Sequence, residues 1–104
     1  MLIGRRTFSS AILNALDMKK QTAALFAGEP TGGKPNHYGE VQSFKLPRSG
    51  LAVTYSVKYF KVIDGDPDSL VPDIRVPLNF AEFRAGKDPV LERVLAYGKT
   101  PGPE

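Results

Sequence analysis

Few side chains in this sequence can break bonds. Of its 104 residues one is His and none is Cys, which excludes a cysteine nucleophile, a thiolate zinc site and a disulfide scaffold. Among the hydroxyls, one pair of serines stands out by position. Ser9 and Ser10 stand between an apolar run, Met1-Leu2-Ile3-Gly4, and the helically spaced residues Ala11, Ile12, Ala15, Leu16 and Met18. A Ser between a strand and a helix has two uses. As an N-cap, its hydroxyl satisfies one of the orphan amides of the first turn. As a nucleophile, it sits where the helix N-terminal amides point at a developing oxyanion.

A serine nucleophile needs a base, and a glycine-rich loop offers two. Residues 28–39 hold four glycines and two prolines, with Lys34 and His37 among them, and cannot be regular structure. Gly32 and Gly33 permit close backbone approach before Lys34, and Pro35 stiffens the chain after it. Such a setting suits an amine that is held in place and partly desolvated, with its pKa lowered. Solvent exposure is the other reading of a loop lysine or histidine. The same loop is not a P-loop, because Pro35 stands after Lys34 where Ser or Thr should hold magnesium. Asp64, Asp66 and Asp68 read as a solvated acidic turn: Pro67 and the lack of a distal Glu break the EF-hand pattern. No metal site is expected, and the carboxylates are not spaced for glycosidase chemistry.

The elements that must position these residues are those of one small domain. Net charge is +3, with 41% hydrophobic and 24% charged residues, a globular composition. Residues 1–61 carry nine basic and three acidic side chains, and residues 62–104 five and eight. The basic groups are scattered rather than striped, so no nucleic-acid partner is expected. No apolar stretch is long enough for a membrane span. The pattern predicts a strand over residues 2–4, a helix of about 10 residues from Ser9 or Ser10, and a buried strand over residues 22–27. It also predicts a hairpin of residues 41–46 and 51–60 around Pro47-Arg48-Ser49-Gly50, a short strand at Ile74-Arg75-Val76, and a helix capped by Asp88-Pro89 that ends at Gly98. Strict alternation of Leu51, Val53, Tyr55 and Val57 predicts that the hairpin packs on the core and is the best protected part of the fold.

Four motifs then fall in a telling order: Gly4-Arg5-Arg6-Thr7-Phe8-Ser9-Ser10-Ala11, Gly28-Glu29-Pro30-Thr31-Gly32-Gly33-Lys34, Pro72-Asp73-Ile74 and Gly86-Lys87-Asp88-Pro89-Val90-Leu91. Together they resemble the C-terminal part of the catalytic domain of the S41 serine peptidases, the C-terminal processing or tail-specific proteases. The family's nucleophile motif, T-x-S-A-A-E or S-A-S-A-S-E, matches Thr7-Phe8-Ser9-Ser10-Ala11, with Ser9 as the nucleophile. Its G-E-x-T-x-G-K motif ends on the general-base lysine, here Lys34, 25 residues after Ser9. Ile12 stands where the family usually has Glu, and Ser10 replaces a small alanine.

The resemblance implies a mixed α/β fold, part of a ClpP/crotonase-like core: a strand-helix-strand unit, a β-hairpin and a C-terminal helix over residues 1–98, with a flexible tail at 99–104. It implies a serine endopeptidase with a Ser9-Lys34 dyad, the Ser10 backbone amide as an oxyanion donor, His37 as a secondary candidate base and no cofactor. The family's domain also has a first half that supplies strands, cleft and a second oxyanion donor. The segment alone is therefore expected to hydrolyse peptides negligibly, to associate with that half or with its own copies, and to leave residues 32–38 poorly ordered. The partner implied is a peptide or protein substrate, and the location is periplasmic or extracytoplasmic in bacteria. A non-catalytic peptide-binding or self-associating module on the same fold is the alternative.

Overall fold

The computed structural model describes residues 1–98; the expected tail at 99–104 lies outside the described residues. The apolar run at residues 2–3 forms β1 (Leu2–Ile3), and the helical spacing after it forms α1 (Ser10–Gln21). Ile12, Ala15 and Leu16 supply the buried stripe of α1, while Lys19 and Lys20 occupy the last turn, where positive charge complements the helix dipole. Thr22 stops the helix: its hydroxyl donates to the Met18 carbonyl at 2.7 Å. The chain then returns through β2 (Ala27–Gly28), which runs parallel to β1 with Leu2 opposite Ala27 and Ile3 opposite Gly28.

The strand expected over residues 22–27 is thus laddered only at its end. Leu25 is exposed and Phe26 buried, so the run alternates instead of burying both faces. Leu2 and Ile3 do the same. After β2 the chain leaves for the hairpin, β3 (His37–Lys45) and β4 (Ala52–Phe60), and comes back as β5 (Ile74–Arg75). β5 lies parallel to β2, giving a three-stranded sheet in the order β1-β2-β5. Two helices close the chain: α2 (Phe80–Arg84), absent from the sequence-based expectations, and α3 (Pro89–Tyr97). The Asp88 carboxylate caps α3 by accepting the Leu91 amide, and Gly98 ends it. The fold is mixed α/β, as its residues predicted. Among the described residues no helix is long and apolar enough to cross a membrane.

The core lies between α1 and the sheet. Ile3, Ile12, Ala15, Leu16, Phe26 and Leu70 form it, flanked by Ala24, Val62 and Ile63. Phe26 is its largest member and is fully buried. The Phe26 amide donates to Asp73 Oδ2 at 2.8 Å, its carbonyl accepts from the Ile74 amide at 2.9 Å, and the Lys19 ammonium stands 5.4 Å over its ring. The Phe26 amide and, secondarily, Lys19 hold the Asp73 carboxyl below its ordinary pKa. A group depressed in the folded state stabilises above its unfolded pKa and loses that contribution as pH falls through the folded value. Asp73→Asn should therefore flatten the acid limb of a stability-versus-pH curve below about pH 4 and leave the alkaline limb alone, as urea titrations at several pH values would show.

The hairpin departs from expectation. Its two strands pair around the predicted turn, with Phe44 opposite Val53 and Gln42 opposite Tyr55, but β3 begins at His37, inside the run 28–39 expected to be irregular, and the hairpin stands away from the core. The radius of gyration is 18.3 Å and the principal extents are 69 × 36 × 17 Å, against roughly 13 Å for a compact domain of this length. Register places Tyr38, Phe44, Val53, Tyr55, Val57 and Tyr59 on one face, and Tyr38 remains 72% exposed, with the other aromatic rings near half. Alternation specifies that one face is apolar; it does not specify a layer to cover it. A two-stranded ribbon without a third strand or a packed layer is marginal in water. Amide exchange should therefore be slower in α1 and around Phe26 than in β3 and β4, the reverse of the sequence expectation. Equal protection in both would show that the ribbon has found a cover.

Candidate active site

The turn between β1 and α1 is short and closed on itself. The Thr7 amide donates to the Gly4 carbonyl at 2.8 Å, and the Gly4 amide donates to Thr7 Oγ1 at 3.0 Å. Ser9 comes next, with φ 52° and ψ −122°, a conformation that costs a non-glycine residue about 1–3 kcal/mol and persists only where its surroundings enforce it. Ser9 occupies the N-cap position, yet its hydroxyl makes no capping hydrogen bond. The helix start is served by backbone instead. Phe8 O accepts the Ala11 amide at 3.1 Å, and Ser9 O accepts those of Ile12 and Leu13 at 2.9 and 3.3 Å. The Ser10 amide is left without an acceptor among the described residues. A half-buried, uncommitted hydroxyl in a strained turn thus adjoins a free helix N-terminal N–H.

The glycine-rich loop packs directly on this turn. A side-chain carbon added at Gly32 would lie 1.9 Å from the Arg5 carbonyl oxygen, and one at Gly33 would lie 2.7 Å from Phe8 Cδ2 and 3.3 Å from Ile12 Cδ1. At Gly32 only glycine fits, because the obstacle is backbone, whereas at Gly33 a side chain would have to displace the Phe8 ring. The loop and the Ser9 turn are also tied by charge, since Arg5 Nη2 meets Glu29 Oε1 at 2.9 Å and Glu29 is buried.

The expected disorder of residues 32–38 is not what the packing shows. Thr31, Gly33, Pro35 and Asn36 are buried. Thr31 Oγ1 donates to the Gly33 carbonyl at 2.9 Å and accepts the Leu70 amide at 2.9 Å. Asn36 Nδ2 donates to the carbonyls of Ile63 and Gly65 at 3.2 and 2.7 Å, and its Oδ1 accepts the amides of Val62 and Ile63 at 2.8 and 3.1 Å. A buried polar side chain so fully satisfied fixes the loops it joins.

Lys34 is therefore brought to the Ser9 turn by its backbone, while its ammonium is engaged elsewhere. Lys34 Nζ donates to Asp66 Oδ2 at 2.9 Å and lies 3.2 Å from Asp68 Oδ1, in the acidic turn predicted to be merely solvated. The desolvated amine with a lowered pKa is not seen. Lys34 is exposed, and hydrogen bonding to Asp66 and then to Asp68 raises its pKa above the ordinary lysine value. His37 stacks on Phe60 with ring centroids 5.5 Å apart, and its Nδ1 lies 2.9 Å from the Pro35 carbonyl. A carbonyl only accepts, so Nδ1 carries the proton and Nε2 is the basic nitrogen of the neutral ring.

Glu29, Thr31 and Asn36 were not singled out from sequence. Glu29 and Thr31 stand in the matched G-E-x-T-x-G-K motif without a role assigned to them, and the one signal of Asn36 is a polar residue in a glycine- and proline-rich run whose backbone needs partners. Beside the turn lies a cavity of about 810 Å³, lined by Arg6, Thr7, Ala11, Phe80, Phe83 and Val90 among others. It reaches within two residues of Ser9 in sequence without including it.

No family model matches this chain, and no curated protein matches it. Among solved structures it is similar to that of "a putative peptidase from Parabacteroides merdae", with a TM-score of 0.68 and 22% identity over 97% of this chain. The chain spans about a third, 31%, of that protein's length. It has the mixed α/β fold of a segment of that peptidase-like structure.

Proposed function

We propose that this chain is the segment of a serine peptidase of the S41 type that carries the nucleophile, Ser9, and the base, Lys34. The observation that bears most weight is the Ser9 turn. A serine used only as a cap relaxes to extended backbone and spends its hydroxyl on an amide; Ser9 does neither. The same strained strand-to-helix turn presents nucleophilic serines in other hydrolase folds. In this reading neutral Lys34 takes the Ser9 proton as Oγ attacks a peptide carbonyl, and the oxyanion forms against the Ser10 amide. Lys34 then protonates the leaving amine as the C–N bond breaks, and water hydrolyses the acyl-enzyme. The substrate class is peptide or protein, no cofactor takes part, and a periplasmic or extracytoplasmic bacterial setting is implied by the resemblance alone.

A second reading, a non-catalytic module that binds peptide or its own copy, is supported by the uncovered aromatic face of β3 and β4 and by the ion pair that occupies Lys34. A fluorophosphonate probe separates the two. Covalent labelling of the folded chain supports a formed site. A folded chain that stays unlabelled while sedimenting as a homo-oligomer supports the module.

A further inference from the structure

We propose that Asn36, Asp66 and Asp68 are positioning residues for Lys34, setting where its amine rests and the pH at which it becomes a base. The inference rests on the reading of Lys34 as the base. Segment 62–70 is stitched to the Lys34 loop at both ends. At one end the four hydrogen bonds of Asn36 hold residues 62–65. At the other, Thr31 exchanges backbone and side-chain hydrogen bonds with Leu70, its amide donating to the Leu70 carbonyl at 3.1 Å. Between these anchors Asp66 and Asp68 reach Lys34 Nζ at 2.9 and 3.2 Å. Asn36 is buried and two residues from Lys34, so the acidic turn cannot move without the loop. Asp66 and Asp68 are the charged groups acting on Lys34; on the far side of the loop Glu29 is already paired with Arg5.

The chemical consequence concerns the proton. A base must be the neutral amine, whereas two carboxylates favour the ammonium. With both in place the resting chain holds Lys34 charged, and Ser9 Oγ can hand over its proton only after Lys34 has lost one to solvent. Removing the carboxylates lets the amine become neutral at lower pH. Asp66 and Asp68 are exposed enough that their replacement by asparagine leaves the fold standing.

The test is a titration of Lys34 monitored by NMR of ¹³Cε-labelled lysine, in the full chain and in Asp66→Asn/Asp68→Asn, alongside the pH dependence of fluorophosphonate labelling. The double variant should titrate at lower pH than the parent chain, since the two carboxylates that favour the ammonium are gone. The midpoint of the labelling rate should move down with it. Asn36→Ala, if it folds, should relax Lys34 in the same direction although both carboxylates remain; if it does not fold, the double variant decides. An unchanged Lys34 titration overturns the proposal, as does a lowered titration with an unmoved labelling midpoint. Absence of labelling in every form would instead overturn the nucleophile assignment, with the titration still deciding whether the carboxylates hold Lys34.

Discussion

Ser9→Ala abolishes covalent labelling of this chain, and Lys34→Ala slows it by at least about a hundredfold, the lower end of what a positioned general base contributes. Those are the expected results, and the double variant should be no worse than Ser9→Ala, because groups that act as a unit do not add. The magnitude comes from geometry. The Ser9 hydroxyl is uncommitted and its turn is prestrained, so its removal takes away the reacting atom without removing a cap, and the fold should be untouched. Losing Lys34 costs only exposed ion pairs to Asp66 and Asp68, worth little to stability. Rate constants from gel fluorescence, with circular dichroism to check folding, read both effects. Labelling that survives Lys34→Ala largely intact would shift the base to His37 Nε2.

The second large effect is on the fold. Phe26→Ala should lower stability by about 3–5 kcal/mol, a large share of the roughly 5–15 kcal/mol typical of a domain. Phe26 is fully buried between α1 and the sheet, in a core of six buried residues, and no other aromatic side chain stands among them to collapse into the space. Its backbone also joins the sheet to Asp73, so the loss spreads to β5. Chemical denaturation monitored by circular dichroism would measure it. Phe44→Ala, on the uncovered face of the ribbon, should cost far less.

Local signals are legible in this sequence and non-local ones are not. The α1 stripe, the Asp88 cap and the turn at residues 47–50 are all written within a few neighbouring residues, and each element forms where its residues predict. Helix α2 has a local signal too, one that apolar periodicity does not reveal. Asn79 three residues before Glu82 is a capping pair, and the Asn79 side chain both accepts the Glu82 amide and donates to the Glu82 carboxylate. The hairpin shows the limit of periodicity. Its register comes from alternation, but what covers an apolar face is a property of the rest of the molecule.

The site divides in the same way. Gly32 and Gly33 beside Lys34 announce a close approach, and the approach is to the Ser9 turn. The partners of Lys34 lie 32 and 34 residues further on, in a turn whose carboxylates read as solvated, so no local pattern could have joined them. The strain at Ser9 is equally silent in composition. A serine before a helix reads as a cap until its backbone angles and its idle hydroxyl are seen.

The proposal turns on Ser9, and not its neighbour, as the nucleophile. Identifying the residue modified by a fluorophosphonate, through mass spectrometry of the peptide spanning the β1–α1 turn, tests it most directly. A phosphonyl adduct on Ser9, absent from heat-unfolded chain, is the predicted result. An adduct on Ser10, or equal modification of folded and unfolded chain, would contradict it.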